Sequence, residues 1–154
     1  MNLALNNLPI GFQAFAKIRE NNKLYIDKTR FIFELVYHEA NYFFLSRPRR
    51  FGKSLLTSTL KAYFQGQREL FRGLAIEKLE KEWVEYPVLH FDMSTAKHKD
   101  TEKLEQELSG KLTDYEKIYG PSEPDKPNLN QRLAGLIERA PAQTGQQVVV
   151  LIDD

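Results

Sequence analysis

Apolar residues in this chain occur in two patterns: short uninterrupted runs, and stretches in which they recur every three or four positions. The runs predict strands buried on both faces, and the periodic stretches predict amphipathic helices. Leu24–Asp27 is a first strand candidate. Asp27 is placed to cap a helix from Lys28 to about His38, with Phe31, Ile32, Leu35 and Val36 on its apolar face. Asn41–Leu45 predicts a second strand that leads directly into Ser46-Arg47-Pro48-Arg49-Arg50-Phe51-Gly52-Lys53-Ser54. From Lys53 to Gln65 the positions of Leu56, Leu60, Tyr63 and Phe64 predict a helix, with Gly66 as its stop.

Ile76, Leu79 and Trp83 mark a shorter helical face, and Val88-Leu89-His90-Phe91 a further buried strand. Leu104, Leu108, Leu112, Tyr115 and Tyr119 predict a long helix that Gly120-Pro121 ends. Residues 120–130 carry Pro121, Pro124 and Pro127 and read as a surface loop. Asn128 then caps a helix bearing Leu129, Leu133, Leu136 and Ile137, with Gln131 placed for the reciprocal contact. Pro141 and Gly145 are expected to break that helix before a last strand, Val148–Ile152. Buried strands alternating with helices predict an α/β fold: a parallel sheet between two helical layers.

Length and charge narrow the functional classes. At 154 residues the chain buries a sizeable core without help from disulfides, and it contains no cysteine. A net charge of +1 excludes a protein held on nucleic acid by bulk electrostatics, so any partner is recognised locally. No apolar run approaches the roughly 20 residues that cross a bilayer. Met1–Gly11 has no secretory pattern, which makes a cytoplasmic location the expectation. His38, His90 and His98 have no metal-ligand spacing.

The chemistry is concentrated at Gly52-Lys53-Ser54, between a predicted strand and a helix start. A helix N-terminus presents unpaired N–H groups and about half a positive charge, so the loop entering it can wrap a phosphate. Gly52 lets the backbone approach, Lys53 reaches the β and γ phosphates, and Ser54 offers a hydroxyl to magnesium. Between Ala40 and Arg68 there are six basic residues and no acidic ones, which leaves the remainder of the chain net acidic. Arg47 stands where the generic motif has glycine. The complementary element is an apolar strand ending in an acid, and Val148–Asp154 fits it: Asp153 on the magnesium side, Asp154 as the candidate catalytic base.

Several of these stretches together resemble the predicted AAA-ATPase-like family of bacterial P-loop ATPases. They are Leu8-Pro9-Ile10-Gly11, Tyr25-Ile26-Asp27-Lys28-Thr29, Leu45 to Leu55, Tyr86-Pro87-Val88, and Val149 to Asp153. The resemblance implies a three-layer P-loop NTPase-type sheet, here truncated after the strand that ends at Asp153, with a short extension over residues 1–24. It implies an N-terminal piece of a longer protein whose complete members commonly carry a PD-(D/E)XK nuclease-like domain. Arg47 is then a family feature, whereas Asp154 stands where the family usually has glutamate.

The resulting expectation is ATP binding with Mg2+ by Pro48, Arg49, Arg50, Phe51, Gly52, Lys53, Ser54 and Leu55, with Ser54 and Asp153 on the metal side and Asp154 catalytic. Hydrolysis is expected of the full-length protein. The alternative is a module that grips a nucleic-acid backbone through Arg47, Arg49, Arg50 and Lys53. Arg50 reads either as a phosphate contact or as a clamp between loop and sheet. Asp92 reads as a rim residue or a turn residue. Asp27 and Thr29 shape a base pocket by family analogy or, on their own pattern, cap a helix. Unpaired sheet edges predict self-association.

Overall fold

Phe15 and Ile18, one helical turn apart, are the buried side of a first helix, α1 (Phe15–Glu20). The computed structural model describes residues 7–48, 50–93, 101–124 and 128–153. They fall into two units, residues 1–84 and 85–154, each with its own apolar core.

In residues 1–84, α2 (Thr29–Val36) turns Thr29, Ile32, Phe33 and Val36 inward, positions spaced three, four and seven apart. Phe31, expected on that face, is exposed. The next helix, α3 (Lys53–Phe64), lies where the periodicity puts it, and Leu55, Leu56, Leu60 and Phe64 pack on the core beside buried Ala62 and Tyr63. Gly66 ends it at φ 67°. Its N–H donates to the Tyr63 carbonyl at 3.0 Å and that of Gln67 to Ala62 at 3.1 Å, the double closure that a left-handed glycine permits. A 3₁₀ turn (Arg68–Phe71) and α4 (Ala75–Leu79) follow. Trp83 packs its ring on Tyr63 and Phe71, so it is a core residue of this unit.

Neither strand expected in this unit forms. Among the described residues the Leu24 N–H donates to the Asn7 carbonyl at 2.7 Å, and Asp27 turns away to cap a helix. Asn41–Leu45 is exposed along its whole length. A strand exists through the ladder it shares with a neighbour. Among the described residues no backbone bond joins this run to another segment.

In residues 85–154, β1 (Val88–Asp92) and β2 (Val149–Asp153) pair in parallel, Val88 opposite Val149 through to Asp92 opposite Asp153. The crossover between them holds α5 (Thr101–Tyr119) and α6 (Leu129–Thr144), as parallel pairing requires. Leu89, Phe91, Met93, Leu112 and Leu136 form the core. This is an α/β arrangement with a two-stranded sheet; the described residues do not build the larger sheet. β2 also departs from the expectation of burial on both faces, since Ile152 is 70% exposed.

Asn128 caps α6 as expected, its side chain accepting from the Gln131 N–H at 2.9 Å. Pro141 does not break the helix, which runs on to Thr144 and closes at Gly145, φ 72°. Helices α5 and α6 are joined by Arg132, whose Nε and Nη2 donate to Glu116 at 2.9 and 2.8 Å and whose Nη1 donates to Ser109 Oγ at 2.7 Å. Residues 125–127, with Pro127 of the expected loop, lie outside the described residues, as does His98.

Candidate phosphate-binding loop and acidic strand tip

The loop ahead of α3 turns sharply because two of its residues are left-handed. Gly52 has φ 79° and is the N-cap residue of the helix, and Arg50 has φ 65°. Glycine adopts that conformation freely; a side-chain-bearing residue held there costs about 1–2 kcal/mol. Gly52 has no side chain with which to cap α3, and no acid sits in the first turn. A helix start of this kind carries a partial positive charge that suits an incoming anion. The Gly52 carbonyl accepts the Leu56 N–H at 2.9 Å, which closes the first turn.

Lys53 opens the helix half-buried, Ser54 is exposed, and Leu55 packs on the core. Pro48, Arg50 and Phe51 are exposed beside them. Of the expected site, Arg49 and Asp154 lie outside the described residues. Ser58 anchors the helix behind the loop: its Oγ accepts the Phe15 N–H at 3.0 Å and donates to the Leu55 carbonyl at 2.9 Å. That tie to α1 was not legible in the sequence, since one serine in a Thr-Ser-Thr run carries no sign of a partner 43 residues away.

Asp27 and Thr29 have a structural task. Asp27 Oδ1 accepts from the Thr29 N–H at 2.9 Å and the Thr29 hydroxyl at 2.7 Å, and Oδ2 accepts the Ala75 N–H at 2.7 Å. Thr29 Oγ1 in turn accepts the Ile76 N–H at 3.1 Å. The pair thus caps α2 and accepts the first N–H groups of α4. Burial acts to raise the Asp27 pKa, but the hydrogen bonds from Thr29 and Ala75 outweigh it and hold the carboxyl below its ordinary value.

In the other unit Asp153 closes β2, 6% exposed, with its carbonyl accepting the Met93 N–H at 2.7 Å. Asp92 is its register partner, so two carboxylates share the C-terminal end of a parallel pair. Ligands of open α/β sheets bind at that end. Among the described residues no group of three or more His, Cys, Asp or Glu could hold a metal ion. No helix among the described residues is long and apolar enough to cross a membrane.

A family model described as "Predicted AAA-ATPase" matches residues 9–154. The chain is also 39% identical over 153 residues to an uncharacterised protein in the vnfD 5' region of Azotobacter chroococcum mcd 1. The match covers 99% of this chain and 29% of that relative, so the chain spans under a third of the relative's length. No solved structure matches it.

Proposed function

The chain belongs to the predicted AAA-ATPase family, and from that premise we propose that residues 48–55 bind the phosphates of ATP together with Mg2+. The observation that carries this reading is the left-handed Gly52 opening a 12-residue helix whose first turn holds Lys53 and Ser54 and no acid. In this reading the backbone N–H groups after Gly52 receive phosphate oxygens, and Lys53 places its ammonium on the β and γ phosphates. Arg50 adds a guanidinium at the loop's outer side. Ser54 and Asp153 serve the metal side, and Asp154 acts as the base that orients water. Magnesium neutralises charge on the transferring group when bound. Hydrolysis is proposed for the longer protein of which the relative is an example.

Titration calorimetry with ATP, ADP and GTP, with and without magnesium, tests the reading. Charge-assisted hydrogen bonds contribute about 1.5–3 kcal/mol each, so Lys53→Ala is expected to weaken ATP binding at least tenfold. Unchanged affinity in a folded Lys53→Ala protein overturns the assignment. Magnesium alone is expected to bind hardly at all, because two protein oxygens cannot displace enough of its waters. Tight binding without nucleotide counts against Ser54 and Asp153 as its partners.

A further inference from the structure

A parallel ladder engages alternate residues of each strand, and the bonds at the two ends of β1 fix which ones face β2. The Val149 N–H donates to the Pro87 carbonyl at 2.9 Å, and the Met93 N–H donates to the Asp153 carbonyl at 2.7 Å. With Val88 opposite Val149 in register, β1 therefore meets β2 through Pro87, Leu89, Phe91 and Met93. The peptide groups of Val88, His90 and Asp92 point to the opposite, outer edge. There the central one is already engaged by a side chain: the His90 N–H donates to Tyr115 Oη at 2.7 Å, and Tyr115 Oη donates to the His90 carbonyl at 3.1 Å. One hydroxyl accepts and donates where the carbonyl and N–H of a neighbouring strand would. The ring that carries it comes from α5 and stands edge-on to Phe91, with 5.8 Å between centroids. The outer edge of β2, at Val150 and Ile152, has no such closure among the described residues.

We propose that Tyr115 is a latch that closes the outer edge of β1 to pairing with a second copy of the chain, leaving β2 as the one edge through which copies can pair. This proposal stands apart from ATP binding at Lys53. An edge with unmet N–H and C=O groups is a template for another strand, and proteins cover such edges to avoid it. Packing on Phe91 asks only for an aromatic ring. It does not ask for a hydroxyl bonded to both peptide groups of one residue 25 positions away. A second copy is the partner that the latch turns away, because every copy carries the same two edges. With one edge open, two copies can pair only about a two-fold axis, and growth stops at a dimer. With both open, β1 of one copy can pair with β2 of the next, a head-to-tail contact that need not close.

Tyr115→Phe keeps the ring on Phe91 and removes the hydroxyl alone. In sedimentation velocity at rising concentration, the wild-type chain is expected to grow no larger than a dimer, and Tyr115→Phe is expected to form progressively larger oligomers. Hydrogen exchange at the His90 amide, followed by NMR, supplies a readout that a merely stabilising hydroxyl would not give. In the dilute variant exchange is expected to be about tenfold faster, the loss of one hydrogen bond. As concentration rises it is expected to slow again, because a paired strand takes the place of the hydroxyl. Leu108→Ala loosens the same core while keeping the latch, and is expected to match the wild type in size. A Tyr115→Phe protein that stays at wild-type size overturns the proposal, as does a wild-type chain that itself grows past a dimer. His90 exchange that remains fast at every concentration reduces the hydroxyl to a local stabiliser and overturns it too. Equal growth of Leu108→Ala assigns the oligomers to loosened packing and overturns it as well.

Discussion

Thr29 is fully buried and uses its hydroxyl twice, donating to Asp27 and accepting from the Ile76 N–H 47 residues away. Valine has nearly the same shape and none of that capacity. Thr29→Val therefore leaves a buried backbone N–H without a partner, which costs about 1–3 kcal/mol. Urea unfolding of the variant is expected to show that loss; a change below about 0.5 kcal/mol would mean that water reaches Ile76 instead. Half of this arrangement was legible beforehand. An aspartate two residues before a threonine at a helix start announces a local cap, because local hydrogen bonding depends on neighbours along the chain. The bond to α4 depends on where a distant N–H arrives, and one sequence does not record it. Arg50 is similar: a left-handed glycine advertises itself, whereas a left-handed arginine does not.

Helices carried their signal in spacing, which is why α3, α5 and α6 lie close to their predicted spans. Six-residue α1 offered only Phe15 and Ile18, too few turns to establish a period. Asn41–Leu45 went wrong for another reason. A run of apolar residues specifies a strand only if a neighbour completes its ladder, and four such residues fit an extended, unpaired backbone equally well. Pro141 misled because a proline removes one N–H and crowds one carbonyl, which α6 tolerates a turn from its end. Gly110 gives the element its own test. It lies within α5, exposed, and a Cβ built on it meets nothing within 4 Å. Gly110→Ala is expected to stabilise the fold by about 0.5–1 kcal/mol through helix propensity alone. A thermal midpoint raised by a few degrees is the result to look for; a lowered one would mean that α5 needs the glycine for a close approach.

At the scale of the molecule, three carboxylates tie helices together, and all three respond to acid in the same direction. Besides Asp27, Glu80 is 4% exposed and accepts from Tyr63 Oη at 2.5 Å, from Tyr37 Oη at 3.2 Å, and from the N–H groups of Lys81 and Glu82 at 2.9 and 3.0 Å. Burial acts to raise its pKa, but those donors prevail and lower it from 4.5. For Glu116 the Arg132 hydrogen bonds dominate, and they too lower it from 4.5 against the opposing effect of burial. A carboxyl whose folded pKa lies below its unfolded value binds fewer protons when folded. Its stabilisation is complete above the unfolded value and is lost as pH falls through the folded one. Stability is therefore expected to be level from neutrality to about pH 5, and to decline below about pH 4.5. Trp83, the only tryptophan, packs beside Tyr63 in the core of residues 1–84, so its fluorescence follows the unit that holds Asp27 and Glu80. In urea titrations at successive pH values, Glu80→Gln is expected to lower the stability read by Trp83 at neutrality and to flatten its decline between about pH 5 and 3. An unchanged slope would show that the Glu80 cluster is not what acid dismantles first, and would turn attention to Asp27, the other carboxylate with a lowered pKa in that unit.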